Sequence, residues 1–287
     1  SMWAQWSGKF WKDRVILSAG VFKTDVQQET GNSEATLRPF YDKSATLPQY
    51  GIVLRPFRPE WGNVSVFALY SESLQPNSDL RDAFNNPFEP RLGKGHEYGI
   101  KFDVLQGKLS GTVSTWDIEQ TNRVIFDANA PNPNNPTGIG ANVARGLNIS
   151  QGWEADLIVS WSRRWQTMLS YAWMDVFSGN DPNPLLNGSA EIGSYQKGFG
   201  VVTSYRFTSG QLNGLGVGLG ANYKSEEIAE SKRAGFNGQR QRVYPAIWDG
   251  NAFVSYRSKL FGYSTRWQLN ITNLFEIERP VGWDPRK

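Results

Sequence analysis

The chain has 287 residues, of which 39% are hydrophobic and 20% charged. That balance excludes intrinsic disorder and a helical membrane bundle, and no apolar run approaches the roughly 18 residues that a membrane-crossing helix needs. Cysteine is absent, His96 is the single histidine and the net charge is only +3; disulfide scaffolds, thiol nucleophiles and multi-histidine metal sites are excluded, and nucleic-acid binding is disfavoured.

In chain order, strands are predicted over 3–10, 15–25, 47–56, 64–73, 95–105, 108–121, 147–163, 166–177, 196–207, 215–224, 248–257 and 264–273. The signal is strict alternation, the period of a strand that separates two environments. Ile100, Phe102 and Val104 interleave with Lys101, Asp103 and Leu105. Phe199, Val201, Tyr205 and Phe207 interleave with Gly198, Gly200, Ser204 and Arg206. Val217, Leu219, Ala221 and Tyr223 interleave with Gly216, Gly218, Gly220, Asn222 and Lys224. Trp267, Leu269 and Ile271 do the same with Arg266, Gln268, Asn270 and Thr272. Soluble strands usually have about five or six residues. Runs of about ten suit a tilted strand crossing a bilayer.

The connections alternate too. Short ones fall at 11–14, 57–63, 106–107, 163–165, 208–214 and 258–263, and long ones at 26–46, 74–94, 125–146, 178–195 and 225–247. An up-and-down membrane barrel predicts this order, with tight turns at one end and long loops at the other. Tyr70, Tyr98, Trp116, Trp153, Trp161, Trp165, Tyr171, Trp173, Trp248, Tyr256 and Trp267 are read as two girdles at the membrane interfaces. The fold expectation is all-β: a transmembrane antiparallel barrel, here about twelve strands of a larger one. Residues 1–6 carry no signal peptide and 281–287 read as loop, so a fragment is expected.

Several stretches resemble the C-terminal half of TonB-dependent outer-membrane receptors of the ferric-siderophore type. Tyr70, Ser71, Glu72, Ser73 and Pro76 are similar to a strand and loop start of that family. Gly99 and Lys101, with Gly107 to Thr112, resemble its next hairpin, and Trp116 to Asn122 the end of the following strand. Gly146, Gly152 and Glu154 resemble a strand start, and Leu169 to Trp173 the strand after it. Asn273, Leu274 and Phe275 resemble a signature close to the last strand. The resemblance covers residues from about 50 to 280. The N-terminal plug of the family and its final strand have no counterpart, and the family has about 22 strands. The resemblance implies residues 1–287 as the C-terminal part of a barrel domain in the bacterial outer membrane. It also implies active uptake of ferric siderophores, energised by the TonB complex through a plug. Iron would travel as a chelate, so no cofactor and no protein-held metal is expected. Outer-membrane lipid and lipopolysaccharide would surround the wall.

Ligand contacts are sought in the long loops. The 225–247 loop carries Lys232, Arg233, Phe236, Arg240, Arg242 and Tyr244, and cations with rings suit an anionic or aromatic chelate. A solvated loop explains the same charges. Phe84, Phe88 and Tyr195 are weaker candidates. The Asn- and Pro-rich segments 129–136 and 181–184 fit simple turns better than any calcium loop. Gly216, Gly218 and Gly220 lie within an alternating strand, so they are no phosphate loop. Glu72 and Glu119 make no acid–base pair, and a catalytic triad would rest on His96 alone, so no enzyme is expected. Three other readings stand beside the first: a receptor of the same superfamily for cobalamin or a glycan, a passive porin-like channel, and a soluble β-rich glycan-binding module.

Overall fold

A computed structural model describes residues 1–30, 38–57, 60, 62–77, 80–230 and 243–275. The strands are β1 (Met2–Phe10), β2 (Val15–Thr30), β3 (Arg38–Phe57), β4 (Gly62–Gln75), β5 (Arg91–Val104), β6 (Leu109–Pro131) and β7 (Ile139–Ser160). They continue as β8 (Trp165–Gly179), β9 (Lys197–Arg206), β10 (Leu215–Lys224), β11 (Glu227–Ile228), β12 (Val243–Tyr244), β13 (Ile247–Leu260) and β14 (Tyr263–Ile271). Twelve of them form one sheet in the order β1 to β10, then β13 and β14, and each described neighbour pair is antiparallel. This is the up-and-down wall expected, and β1 and β14 are its two edges among the described residues.

Register shows why the sequence alternates. Val66, Ile100, Val113, Ala155, Tyr171, Phe199, Tyr223 and Trp248 stand opposite one another in turn, from β4 across to β13. One residue along each strand, Ser65, Lys101, Thr112, Asp156, Ser170, Gly200, Asn222 and Asp249 form the adjacent row. Opposed residues share a face and neighbouring rows point to opposite faces. One face is therefore continuous and apolar, and the other is polar.

Among the described residues nothing covers the apolar face. Leu219 is 61% exposed and Leu269 is 62% exposed. Among the described residues only Tyr41, Leu47, Phe88, Val104, Ala130 and Ala141 are buried apolar side chains. An apolar patch of this extent needs lipid as its solvent, and a soluble module would have hidden it in a core. Toward the long loops the same face turns charged, with Glu72 opposite Lys94 and Lys94 opposite Glu119.

Two aromatic belts bound the apolar band. At one end Tyr50 stacks on Tyr70 at 6.1 Å, Trp153 packs on Tyr171 at 4.8 Å and Tyr223 on Trp248 at 4.7 Å. At the short-turn end Trp161 meets Trp165 at 5.6 Å, and Tyr256 stands opposite Trp267. Their indoles are satisfied: Trp161 Nε1 donates to Thr167 Oγ1 at 2.9 Å and Trp165 Nε1 to Thr203 Oγ1 at 2.8 Å. Between Trp248 and Tyr256 the strand rises about 26 Å, or about 20 Å of height at the tilt usual for such walls.

The structure corrects three expectations. Trp116 belongs to the polar face, opposite Glu97 and Gly152, and is no girdle residue. The 26–46 and 125–146 loops are largely ladder: pairing continues to Thr30 opposite Arg38 and to Pro131 opposite Ile139. Beyond the bilayer both faces meet water, so backbone pairing persists while alternation, the only sequence signal, disappears. The 225–247 loop also holds the small β11–β12 pair.

Candidate ligand site at the long-loop end

Arg233, Phe236, Arg240 and Arg242, with Lys232, lie outside the described residues. Tyr244 and Tyr195 are described and lie close together. Tyr195 forms an antiparallel bridge with Glu227, and Glu227 stands opposite Tyr244 in β11–β12. Lys224 Nζ sits 4.6 Å from the centre of the Tyr195 ring and forms an ion pair with Glu227. Backbone bonds zip the two loops together: Gly193 N donates to Ile228 O at 2.8 Å and Ile228 N to Ser194 O at 2.9 Å. Ser225 Oγ accepts from the amides of Gln196 and Lys197 at 3.1 and 3.0 Å. The cluster offers the Tyr195 ring beside a cation that a carboxylate already neutralises, with Tyr244 opposite that carboxylate in the small ladder. Lys224 and Glu227, three residues apart, were missed from sequence. Their spacing was readable, but the partner ring is about thirty residues away.

Phe84 belongs to a different loop pair. It is 61% exposed at the tip of a turn built on Asp82. Asp82 Oδ1 accepts from Phe84 N at 2.9 Å and Asn86 N at 2.7 Å, and Oδ2 accepts from Asn86 Nδ2 at 3.1 Å. Partial burial works to raise the Asp82 pKa, but these donors and the Arg81 charge outweigh it and hold it below the ordinary 3.8. Behind the turn, buried Asn77 donates to Glu89 O at 2.7 Å and Asn122 O at 3.0 Å, and accepts from Arg91 Nε at 2.9 Å. Phe88 is buried, so it packs the loop and presents nothing to a ligand. Asn134 Nδ2 donates to Ala83 O at 2.7 Å and ties this loop to the 132–138 turn.

A depressed carboxyl pKa stabilises the folded turn above the unfolded value and loses that contribution as pH falls through the folded value. Protection of the Phe84 amide from hydrogen exchange, corrected for intrinsic rate, is therefore expected to be full above pH 3.8 and to fall below it. Asp82→Asn should lower the protection at neutral pH and flatten the pH response. A flat response in the parent protein would refute the role given to Asp82.

Of the proline-rich segments, 132–136 and 181–184 are turns, as expected, whereas 129–131 belong to β6. Asn132 Oδ1 accepts from Asn134 N at 3.0 Å, and Asp181 Oδ1 accepts from Asn183 N at 2.8 Å. No group of three metal-ligating side chains occurs among the described residues. Two ion pairs also brace this end: Arg123 with Glu191, and Arg145 with Asp127 at 2.5 Å.

The residues that carry the family resemblance lie elsewhere, and they pack the wall. Tyr70 stacks on Tyr50, touches His96 at 4.9 Å and donates to Glu72. Ser71 stands opposite Gly95 and Ser73 opposite Gly93 on the polar face, and Pro76 follows the end of β4. The Phe67 ring lies over Gly99, where a Cβ would come within 2.6 Å, and Lys101 Nζ sits 4.9 Å from that ring. Trp116 covers Gly152 in the same way, and Ser114 Oγ donates to Glu154 at 3.5 Å. Asn273 takes a left-handed φ of 56°, Leu274 N donates to Gly250 O at 2.8 Å, and Phe275 covers Gly250.

The family model described as TonB dependent receptor-like, beta-barrel, matches residues 1–274. The metal-pseudopaline receptor CntO of Pseudomonas aeruginosa is 28% identical over 192 residues, 67% of this chain and 25% of that protein. The ferrichrome outer membrane transporter/phage receptor of Escherichia coli is 24% identical over 217 residues, 75% of this chain and 26% of that protein. Among solved structures, the ferric preacinetobactin receptor BauA of Acinetobacter baumannii superposes with a TM-score of 0.71 at 18% identity, over 94% of this chain and 38% of that one. The ferripyoverdine receptor of the Pseudomonas aeruginosa outer membrane gives 0.66 at 23% identity, over 93% and 33%. The chain spans about a quarter of the length of these curated relatives.

Proposed function

The chain belongs to the TonB-dependent receptor-like β-barrel family, and from that premise we propose that it is part of the wall of a receptor that imports metal chelates of the ferric-siderophore type. The family is one of the bacterial outer membrane, and the wall is at home there. The observation that carries the reading is the pair of adjacent rows, one apolar from Val66 to Trp248 and one polar from Ser65 to Asp249. Such a wall separates lipid from a wet interior, and long loops with exposed rings such as Phe84 crown one end. The relatives named above are receptors and a transporter, which supports transport over catalysis. Energy would come from the TonB complex acting on a plug, with the metal carried inside its chelate and held by no protein cofactor. The same wall would serve a receptor for another ligand, cobalamin or a glycan, or an open channel.

Uptake of labelled ferric chelates by iron-starved cells, with the locus intact or deleted, tests the reading. Deletion is expected to abolish uptake of one chelate class, and a proton ionophore should do the same in intact cells. Equal uptake of every chelate by both strains refutes a siderophore receptor. Locus-dependent uptake that survives the ionophore identifies a passive channel.

A further inference from the structure

The strand pair β6–β7 outgrows its neighbours in the wall. Pairing of β6 with β5 ends where Thr121 meets Leu92, and pairing of β7 with β8 ends where Leu147 meets Gly179. Beyond those points residues 123–131 and 139–146 pair with each other as a two-stranded ribbon. Such a ribbon is marginal by itself, so the contacts at its base and sides decide how it behaves.

Two bulges lie at that base, and they cancel. Gln120 stands opposite Asn148 and Arg123 opposite Gly146, which puts one extra residue into β6. Val124 then stands opposite Ala144, which leaves Arg145 as one extra residue in β7 and restores the register that Gln120 and Asn148 had. A pair of irregularities that leaves the register unchanged adds nothing to the ladder; what bulges do is bend a strand and re-aim its side chains. Here they aim at the flanking loops. Asn122 takes a left-handed φ of 60°. Its backbone oxygen accepts from buried Asn77 at 3.0 Å, and its Nδ2 donates to Pro90 O at 3.0 Å. The next residue, Arg123, pairs with Glu191. Adjacent residues thus hold the 74–94 loop and the 178–195 loop. Gly146 lets the strands close at this point, since a Cβ there would come within 2.8 Å of the Ile125 side chain and 3.0 Å of Arg123 O. Higher up, Arg145 pairs with Asp127 inside the ribbon, and at the tip Asn134 Nδ2 donates to Ala83 O.

We propose that the paired bulges are a joint and that the ribbon above them is a lever, which couples the 80–90 and 189–194 loop segments so that displacing one displaces the other. The ribbon is tied to the first segment at its base and its tip, and to the second through Arg123. A load on either is therefore carried to the other by contacts already made. Coupling of this kind is a free energy shared by the two segments, so it must be visible from both sides. It rests on contacts within one hairpin and not on which chelate the loops select. Its failure and the failure of the transport reading are therefore separately visible.

Hydrogen exchange tests this on the full protein, extracted from outer membranes into nanodiscs, with no chelate added. Glu191→Gln removes the ion pair with Arg123 and is expected to lower the protection of the Phe84 amide, across the ribbon, about fivefold. That is the low end of ordinary coupling, because the Arg123 side chain is 30% exposed. Asn134→Ala frees the tip from Ala83 and should lower the protection of the Ser194 amide by a similar factor. Deleting Asn122 and Arg145 together leaves a ladder with no bulge. Amides 124–127 should then keep their protection while Phe84 and Ser194 both lose it. Lys9→Gln, in β1, should change neither loop, and heat-modifiable mobility on gels shows that each variant is folded. Losses confined to 189–194 in Glu191→Gln and to 80–90 in Asn134→Ala overturn the coupling. Full loop protection in the folded double deletion overturns the joint. So does loss of protection at 124–127 there, because the bulges would then be holding the ladder and not the loops.

Discussion

Leu219→Arg is expected to abolish stable assembly in the outer membrane, whereas Asn222→Arg, three residues along the same strand, is expected to leave it intact. Leu219 stands opposite Thr203 and Ala252, midway between the row where Leu215 meets Tyr256 and the row where Tyr223 meets Trp248. The aromatic belts mark the interfaces, so Leu219 lies at the midplane. A guanidinium on the lipid face costs about 2–4 kcal/mol at that depth. That is roughly thirty-fold to several hundred-fold in the assembled fraction, since each 1.4 kcal/mol is a factor of ten. Asn222 belongs to the polar row, opposite Gly200 and Asp249. An arginine there meets water and an acidic neighbour. Outer-membrane abundance and the heat-modifiable band measure both variants. In an aqueous setting the order would reverse, because an exposed leucine replaced by arginine only gains solubility. Equal tolerance of the two variants would therefore refute the membrane wall itself.

How much of this was legible in the sequence depended on where side chains meet two different solvents. In β10 the alternation of Val217, Leu219, Ala221 and Tyr223 with glycine and Asn222 gave the strand to the residue, because every second position faces lipid. In β6 the alternation lapses after Thr121, and the ladder runs on to Pro131. There both faces are wet, and only backbone hydrogen bonds hold the pair. Trp116 was misplaced for a related reason. Rings are normally sought on the lipid face, yet this ring fills the space over a glycine on the polar face. The contact of Tyr195 with Lys224 was out of reach, because it depends on how two loops pair. The family resemblance succeeded at Gly99, Gly152 and Phe275 because their constraint is local packing, which short motifs preserve. The loops lie beyond the bilayer, and no such constraint fixes their residues.

Gly152→Val is the sharper test of that packing. A Cβ at Gly152 would lie well inside van der Waals contact of the Trp173 carbonyl oxygen and 2.7 Å from the Trp116 ring. The ring could turn aside. The carbonyl cannot, because Trp173 stands opposite Trp153 and Lys197, so its backbone is fixed by ladders on both sides. Overpacking against movable side chains costs about 1–3 kcal/mol, and a fixed backbone atom puts this variant at or above the top of that range. Gly138→Ala makes the comparison. Its Cβ would meet nothing within 4 Å, and only a left-handed φ of 71° opposes it, at a cost of about 1–2 kcal/mol. The thermal midpoint of the heat-modifiable band is expected to fall further for Gly152→Val than for Gly138→Ala. Adding Trp116→Gly to Gly152→Val should recover only part of the loss, because it removes the ring and leaves the carbonyl in place. Full recovery would mean that the ring was the whole obstacle and that the β7–β8 ladder yields. No loss at all would mean that Gly152 is an accident of sequence, and the reading of the motif residues as wall packing would fail with it.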